Sequence, residues 1–232
     1  MVAILPNAGK KIRIGIDIDG VLIDTNYHAF LEYCEKKLGW KISYEKFSQT
    51  HSWDAATGKS ESEITSAFYH YLSDTEHSQK PIEGAYKALQ KLGEIADIYL
   101  ITARFEDLRE TTTNFLNEHL GEILYKEISM SNTEKKAQRI REFNLDYFID
   151  DSFREVSAIL QDTTIKTKII PFPSFHGQPD WSELKNDPRI IWLQVWRVIT
   201  NKLTAGLQAE IHKKAWEEIV EEIVSPLRNI DS

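Results

Sequence analysis

The sequence predicts an α/β fold: a doubly wound parallel sheet with a small helical cap inserted after the first strand and a C-terminal helical extension. Short apolar stretches alternate with amphipathic ones after Pro81, which is typical of a parallel sheet covered by helices on both faces. Between the first strand and Pro81 this alternation is absent, which indicates an insertion. From about residue 181 onward the apolar residues follow helical spacing instead.

The first predicted strand is the β-branched run at residues 12–18, which ends in Asp-Gly and therefore in a turn. Apolar residues at helical spacing predict a helix over residues 26–38. No strand is predicted between residues 40 and 80, where the sequence is aromatic and polar. Within that region Ser60 and Glu63 have the spacing of a capping box, which predicts that a helix begins there.

A Rossmann-like succession of elements follows Pro81. In order, we predict a helix near 83–92, a strand at 96–102, a helix at about 106–119, a strand near 123–129, a helix at about 134–143, a strand at 146–150, a short helix, and a strand at 167–172. We therefore assign residues 11–24 and 81–178 to the core, 25–80 to the cap and 179–232 to the extension.

Two amphipathic helices are predicted in the extension. The second covers about residues 207–224, before Pro226. The first is marked by apolar residues at helical spacing, namely Trp192, Val195, Trp196, Ile199 and Leu203. Such helices either pack on the surface of their own domain or form a homodimer interface, and the spacing is compatible with both.

Composition restricts the class of protein. A chain of 232 residues can bury one full core with a modest insertion, and its net charge of −8 disfavours a nucleic-acid polymer as partner. A small phosphorylated ligand is still compatible, because a local pocket can be positive inside an acidic molecule. The single cysteine, Cys34, excludes an intrachain disulfide framework and fits a reducing compartment. No apolar run is long enough for a signal peptide or a membrane span, so we expect a cytoplasmic protein without a membrane partner.

Polar groups stand at four places where predicted strands end or helices begin, namely residues 17–20 (DIDG), 101–104 (ITAR), 135–136 (KK) and 149–152 (IDDS). In open α/β sheets, ligands bind beyond the carboxyl ends of the strands, so we expect these groups to meet. Each alone is more often a solvated turn, a helix cap or a surface charge. Their order, spacing and shared placement favour a site.

With these residues in place, the sequence resembles the haloacid dehalogenase superfamily. DIDGVLID, ITAR, a lysine that opens a helix, and FIDDS resemble its four motifs, in the same order, across about residues 12–172. The resemblance is strongest to the 5′(3′)-deoxyribonucleotidase branch and its bacterial relatives, because an acidic position follows DGVL, PIEGA precedes the next helix, and IDD forms the fourth motif. That branch also carries a short helical cap between the first two motifs.

The resemblance implies an enzyme, a phosphatase that works through an aspartyl-phosphate. Asp17 would attack phosphorus, and Asp19 would protonate the leaving oxygen and later activate water. Thr102 and Lys136 would bind phosphate oxygens. We prefer Lys136 to Lys135 because it stands four and seven positions before two apolar residues of its helix, so that it faces the site from the helix start.

Several carboxylates that face a phosphate dianion require a cation, and Mg²⁺ suits carboxylate, carbonyl and phosphate ligands. By resemblance Asp17, the backbone carbonyl of Asp19, and Asp151 would hold it. Asp150 would orient the motif lysine, with direct ligation of the metal as the alternative.

Two residues bear on the substrate. Arg104 departs from the mammalian pattern, in which serine and proline follow the threonine, and it either forms a structural salt bridge or touches the substrate. Trp53, in a polar setting within the cap, is a candidate for stacking on a nucleobase. The preferred reading is a 5′-nucleotidase acting on nucleoside or deoxynucleoside monophosphates. The alternatives are a phosphatase for another small metabolite, such as a sugar phosphate, and a non-catalytic binding or regulatory protein with the same fold.

Overall fold

A computed structural model describes residues 11–25, 27–50, 53–75, 79–121, 125–130, 133–173, 181–197 and 205–228. A five-stranded sheet of order β5-β4-β1-β6-β7 lies at its centre, and every strand pair in it is parallel. The sheet strands are β1 (Ile12–Ile16), β4 (Ala96–Thr102), β5 (Tyr125–Met130), β6 (Tyr147–Asp150) and β7 (Lys168–Pro171). This confirms the predicted α/β class.

Helices connect successive strands of the sheet and cover it. They are α5 (Ala85–Ile95), α6 (Arg109–Leu120), α7 (Thr133–Phe143) and α8 (Phe153–Gln161), with a short 3₁₀ turn at Glu106–Leu108 before α6. Their buried positions recur at helical spacing; in α5 they are Ala85, Ala88, Leu89 and Leu92. Burial of these faces against apolar strands holds the carboxyl ends of the strands at one edge.

Four helices lie between two very short strands, β2 (Ile23–Asp24) and β3 (Lys80–Pro81). These strands pair with each other in antiparallel fashion, and we call them the hinge ribbon. The sequence did not predict the ribbon, because two residues carry no periodicity. The intervening helices are α1 (Tyr27–Leu38), α2 (Tyr44–Thr50), α3 (Trp53–Thr57) and α4 (Glu61–Thr75).

The predicted capping box at the start of α4 is present. The Ser60 amide donates to Glu63 Oε2 at 2.9 Å, and the Glu63 amide donates to Ser60 Oγ at 3.4 Å. The helices α1 and α4 pack around a cluster of aromatic rings centred on Phe30, which lies 5.1 Å from the ring of Phe68 and 5.5 Å from that of Tyr71. The cap region therefore has a small core of its own.

The extension packs on the core through α9 (Ala205–Arg228), whose buried residues Trp216, Ile219 and Ile223 join the same apolar cluster as strand β1. The helix continues through Pro226, beyond the predicted end. A proline so close to the C-terminus of a helix removes one backbone hydrogen bond only in its last turns, so the helix is not broken earlier.

The predicted helix at Trp192–Leu203 is wrong for the residues that the structure describes. Only a 3₁₀ turn forms, at Gln194–Arg197, and residues 198–204 lie outside the described ranges. The indole rings of Trp181, Trp192 and Trp196 pack against one another at 5.6–6.0 Å between centroids, and Trp196 Nε1 donates to the Pro171 carbonyl at 3.0 Å. The apolar spacing that suggested a helix therefore reflects the burial of these indole rings in tertiary contacts.

Across the described ranges, no helix combines the length and the apolar character needed to cross a membrane. The division of the chain at residues 25–80 and 179–232 stays a prediction, as does a homodimer formed through the extension.

Candidate active site

The central strands of the sheet deliver the polar residues to one edge. Asp17 follows β1, and its amide donates to the Ile149 carbonyl on β6 at 2.9 Å. Thr102 ends β4 and Asp150 ends β6, the two strands that flank β1. Because all three strands are parallel, their carboxyl ends coincide. The side chains of Asp17, Thr102 and Asp150 are all buried.

The turn after Asp19 depends on Gly20. Its φ of 77° lies in the left-handed region, and a Cβ there would stand 2.1 Å from Asp151 Oδ2. A backbone hydrogen bond spans this turn, in which the Ile23 amide donates to the Ile18 carbonyl at 2.9 Å. Glycine therefore allows the turn to approach the Asp151 carboxylate.

Lys136 is buried beneath the edge and contacts two aspartates. Its Nζ donates to Asp150 Oδ2 at 2.8 Å and lies 3.1 Å from Asp17 Oδ2. Burial alone would lower the pKa of Lys136, but the charges of Asp150 and Asp17 outweigh it and raise the pKa. Lys136 therefore stays an ammonium group. The side chain of Lys135 lies outside the described residues.

Both oxygens of Asp150 are engaged by protein groups. Oδ1 accepts a hydrogen bond from the Ser152 amide at 2.8 Å, and Oδ2 accepts the one from Lys136. Ser152 also caps α8, where its hydroxyl accepts from the Glu155 amide at 3.4 Å. These contacts favour the interpretation in which Asp150 orients the lysine.

Sequence reasoning missed Glu155, a buried carboxyl in the first turn of α8. Burial raises the pKa of Glu155 to about 7, although the positive charge of Lys136 opposes the rise. The sequence did not single out Glu155, because carboxylates are common in the first turn of a helix and their presence there does not indicate a site. Lys136 is therefore surrounded by more carboxyl groups than the motifs alone indicate.

Asp17 lies in the least favourable electrostatic setting of the site. Burial raises its pKa, Lys136 opposes the rise, and the charges of Asp150, Asp151 and Asp19 add to it. Its Oδ1 atom is buried and lacks a hydrogen-bond partner among the described residues. An unpaired, buried carboxylate oxygen is unfavourable unless another positive group meets it.

The site fits a divalent cation. Asp17, Asp150 and Asp151 each offer a carboxylate oxygen, and these oxygens lie within 4.8 Å of one another. Carboxylates are the ligands that hard cations such as Mg²⁺ prefer, and a cation there would also meet the unpartnered oxygen of Asp17. Of the predicted ligands, the structure brings together these three; the side chain of Asp19 points to a different partner.

That partner is Arg104. Its Nε donates to Asp19 Oδ2 at 2.9 Å and its Nη2 to Asp19 Oδ1 at 2.8 Å, so the guanidinium grips both carboxylate oxygens. Thr25 Oγ1 donates to Asp19 Oδ1 at 2.9 Å. Burial would raise the pKa of Asp19, but the charge and hydrogen bonds of Arg104, with the bond from Thr25, lower it. Of the two roles predicted for Arg104, these contacts favour the salt bridge.

Thr102 lies beside this pair. It is fully buried, and its Oγ1 accepts a hydrogen bond from the Arg104 amide at 3.1 Å. That bond fixes the turn after β4, which leads from the threonine to the arginine. A contact of Thr102 with substrate phosphate stays a prediction.

Trp53 belongs to the aromatic cluster of the cap. Its ring lies 5.0 Å from Phe30, edge to face, and 5.0 Å from Phe47. Burial raises the pKa of the Tyr71 phenol in the same cluster, and the charges of Asp24 and Asp19 add to the rise. Stacking of Trp53 on a base stays a prediction.

The chain is similar in sequence to known nucleotidases. Residues 10–168 match the family model described as 5′ nucleotidase, deoxy (pyrimidine), cytosolic type C. A Bacillus cereus protein provisionally named a nucleotidase is 28% identical over 202 residues, which are 83% of this chain and 100% of the relative. A nucleotidase of Clostridium acetobutylicum is 26% identical over 145 residues, 62% of this chain and 72% of the relative. The family match includes all four polar segments.

Solved structures share the fold. A haloacid dehalogenase-like hydrolase of Streptococcus pneumoniae superposes with a TM-score of 0.57 at 16% identity, covering 81% of this chain and 96% of that one. CbbY of Rhodobacter sphaeroides, solved in complex with phosphate, superposes with a TM-score of 0.53 at 14% identity, covering 78% and 94%. At these identities the likeness concerns the fold alone.

The opposite settings of Asp17 and Asp19 predict opposite effects on stability. In buffer free of divalent ions at pH 7, Asp17→Asn should raise the thermal midpoint, because the amide replaces a carboxylate whose folded pKa is raised. Asp19→Asn should lower it, because the native state loses a carboxylate whose pKa is lowered. Each pKa unit corresponds to about 3–5 °C in a chain of this size.

The difference for Asp17→Asn should shrink as the pH falls toward about 4, where the unfolded carboxyl takes up its proton. The difference for Asp19→Asn should persist to about pH 4 and shrink only below it, because the folded Asp19 carboxyl has the lower pKa. Calorimetry of the three proteins from pH 7 to below about pH 4 measures both changes. A lower midpoint for Asp17→Asn at pH 7 would contradict the electrostatic assignment.

Proposed function

The chain belongs to the family of 5′ nucleotidases described as deoxy (pyrimidine), cytosolic type C, within the haloacid dehalogenase superfamily, and from that premise we propose that it is a Mg²⁺-dependent 5′-nucleotidase acting on nucleoside or deoxynucleoside monophosphates. Its class as a phosphomonoester hydrolase follows from the family. One observation supports the chemistry: the buried, unpartnered Oδ1 of Asp17 stands among carboxylates beside a buried lysine.

In the proposed reaction Asp17 is the nucleophile. One carboxylate oxygen of Asp17 would attack phosphorus while the other meets the cation; Lys136 Nζ lies 3.1 Å from Oδ2. A bond forms between the attacking oxygen and phosphorus while the ester bond from phosphorus to the leaving oxygen breaks. Burial of the carboxylate removes the water shell that would otherwise weaken it as a nucleophile.

Asp19 is the proposed acid and base. It would give its proton to the leaving oxygen and then take one from the water that cleaves the aspartyl-phosphate. Its lowered pKa favours the base form required in the second step. For the first step it must gain a proton in the substrate complex, where the negative charge of the phosphate raises the pKa of a neighbouring carboxyl.

Lys136 and Thr102 are the proposed phosphate ligands. The lysine keeps its positive charge next to Asp17 and Asp150, at the place where charge on the transferred phosphoryl group must be balanced. The Thr102 hydroxyl ends the neighbouring strand at the same edge. Phosphoryl transfer depends mainly on such positioning and charge balance.

Mg²⁺ is the proposed metal, with Asp17, Asp151 and the backbone carbonyl of Asp19 as its ligands. Asp151 is preferred to Asp150, because both oxygens of Asp150 already accept hydrogen bonds from Ser152 and Lys136. When bound, the ion would supply positive charge that offsets the repulsion between the carboxylates and a phosphate dianion.

The cap supports a nucleotide as substrate. The motif residues locate a phosphate but do not recognise a leaving group, so selectivity requires whatever covers the sheet edge. The cap carries an aromatic cluster that includes Phe30 and Tyr71, both buried, with Trp53 partly buried against it. An aromatic ring stacks on the flat face of a nucleobase, so Trp53 is the ring of this cluster that we propose for base recognition.

Replacement of the nucleophile tests the reaction itself. Asp17→Asn should release less than about a hundredth of the wild-type phosphate per second from deoxythymidine 5′-monophosphate, because the amide cannot attack phosphorus. Asp97→Asn is the matched control, since Asp97 pairs with Lys126 at the start of β4, at the opposite edge of the sheet. Phosphate release measured by a coupled assay should be normal for the control. Turnover by Asp17→Asn above about a hundredth of the wild-type rate would show that another residue is the nucleophile.

Chelation tests the metal. Exhaustive treatment with EDTA should stop phosphate release, and Mg²⁺ should restore it. Excess Ca²⁺ should restore it poorly, because its higher coordination number favours bidentate binding of Asp17, which ties up the attacking oxygen. Asp151→Asn should raise the Mg²⁺ concentration needed for half-maximal activity. Full activity after complete chelation would contradict a metal-dependent reaction.

Trp53→Ala tests the substrate class. If Trp53 stacks on the base, its loss removes about 1–3 kcal/mol of binding and raises KM for nucleoside monophosphates roughly 5- to 150-fold. Turnover of p-nitrophenyl phosphate, which has no base, should change much less. Trp40→Ala is the control, a cap tryptophan that packs under Lys59. Equal losses on both substrates would indicate a collapsed cap, and no loss on either would exclude Trp53 from substrate binding.

A further inference from the structure

Arg104 has more partners than the acid and base Asp19. Its guanidinium is buried, with Nη1 donating to Thr112 Oγ1 at 2.9 Å and Nη2 donating to Gln79 Oε1 at 3.1 Å, in addition to the two bonds with Asp19. Every contact named so far is with protein groups. Arg104 thus joins Asp19 to residues that are distant in the sequence.

Two residues in this network lie at the two ends of the cap. Thr25, which binds Asp19, directly follows strand β2. Gln79, which binds Arg104, directly precedes strand β3. The two strands form the hinge ribbon, with Ile23 opposite Pro81. The chain segments that enter and leave the cap are therefore both hydrogen-bonded to the Asp19–Arg104 pair.

Gln79 contributes to this pair through its carbonyl oxygen. Its side chain is buried, and within the described part of the chain its Nε2 has no hydrogen-bond partner. Burial of an amide N–H without an acceptor is unfavourable, so the glutamine gains stability only through Oε1 and the Arg104 contact. That imbalance indicates a position required by the network rather than by packing.

The segment that carries Arg104 also receives the cap. Tyr69 on α4 donates to Asp107 Oδ2 at 2.7 Å, and its ring meets Phe105 edge to face at 5.3 Å. Leu108, in the same segment, packs into the aromatic cluster of the cap. Placement of the cap and placement of the guanidinium are therefore linked through one short stretch of chain.

We infer that Arg104 is a positioning residue that ties the orientation of the Asp19 carboxylate to the placement of the cap, through Gln79 and Thr25 at the two sides of the hinge ribbon. The inference rests on the proposed role of Asp19 as general acid. With the ribbon in place, two fixed donors of Arg104 and the Thr25 hydroxyl hold both carboxylate oxygens in one orientation. With the ribbon displaced, the guanidinium loses Gln79 and the carboxylate loses Thr25.

Two aryl phosphates of similar size, p-nitrophenyl phosphate and phenyl phosphate, together measure proton donation by Asp19 separately from substrate binding. Loss of p-nitrophenolate needs little protonation, whereas loss of phenolate from phenyl phosphate needs a positioned proton, and neither substrate carries a base for the cap to recognise. For both, kcat/KM reports the steps up to departure of the leaving group. The ratio of kcat/KM for p-nitrophenyl phosphate to that for phenyl phosphate therefore measures how well Asp19 is positioned.

Gln79→Leu should raise that ratio about tenfold, through a lower kcat/KM for phenyl phosphate, because misplacement of a catalytic group by a fraction of an ångström costs on this order. Thr112→Val is the matched control: it removes another hydrogen bond to Arg104, but from α6, outside the hinge ribbon. Its ratio should stay within about twofold of the wild type. Thr25→Val should raise the ratio as Gln79→Leu does, and Thr25→Ser, which keeps the hydroxyl, should restore it.

A double variant tests the shared route. Arg104→Lys keeps the charge but not the planar fork, and it should raise the ratio as well. If Gln79 acts through Arg104, adding Gln79→Leu to Arg104→Lys should change the ratio no further. If the Arg104→Lys variant does not fold, the Gln79→Leu and Thr25→Val variants still test the inference.

An unchanged ratio for Gln79→Leu would overturn the inference, as would an equal rise for Thr112→Val or additive effects in the double variant. These results leave the proposed function standing, because the wild type still hydrolyses both esters. Failure of the wild-type enzyme to hydrolyse any monoester in the presence of Mg²⁺ would remove the proposed function and the inference together.

Discussion

The balance of charge at the carboxyl edge of the sheet is the constraint on which the rest of the site depends. Four aspartates, at positions 17, 19, 150 and 151, stand there with little access to water. Lys136 bridges Asp17 and Asp150, and Arg104 grips Asp19. Removing Asp19 would leave the Arg104 guanidinium buried without its carboxylate, a change that typically costs about 3–5 kcal/mol, whereas Lys136 keeps Asp150 as a partner when Asp17 is neutral. The same ion pairs therefore shape the site and hold together the strands and helices that meet there.

Lys136 and Arg104 give Asp17 and Asp19 different electrostatic environments. Asp17 and Asp19 are separated by a single residue, yet the pKa of the first is raised and that of the second lowered. Crowding by carboxylates dominates around Asp17, whereas Asp19 meets a bidentate guanidinium. Environments that push the pKa values of neighbouring carboxyls apart are how one site performs two acid–base roles. The division arises from separate elements, since Lys136 lies on α7 and Arg104 follows β4.

Sequence reasoning reached the parts of this arrangement that local pattern determines. Alternation gave the sheet, the spacing of Ser60 and Glu63 gave the start of α4, and position at a helix start singled out Lys136. The partners of Arg104 gave no such signal. Gln79 is 25 residues away along the chain and Thr112 eight, and only the packing of the hinge ribbon and α6 onto the strand end brings them together. The tail shows the converse case, in which buried indoles imitate a helix that does not form around Trp192 and Trp196.

The strand order β5-β4-β1-β6-β7 has a consequence for how the molecule is made. Strand β1 is translated before the other strands of the sheet, but in the folded protein it lies at the centre, between β4 and β6. These two neighbours begin only at Ala96 and Tyr147. At a synthesis rate of about 5–20 residues per second, β1 waits several seconds for its first sheet neighbour and longer for its second. During that time an apolar strand is exposed without a partner, a state prone to aggregation. The cap helices are translated in this interval, but their aromatic cluster also takes in Leu108, which follows β4, so cap and sheet complete their packing together.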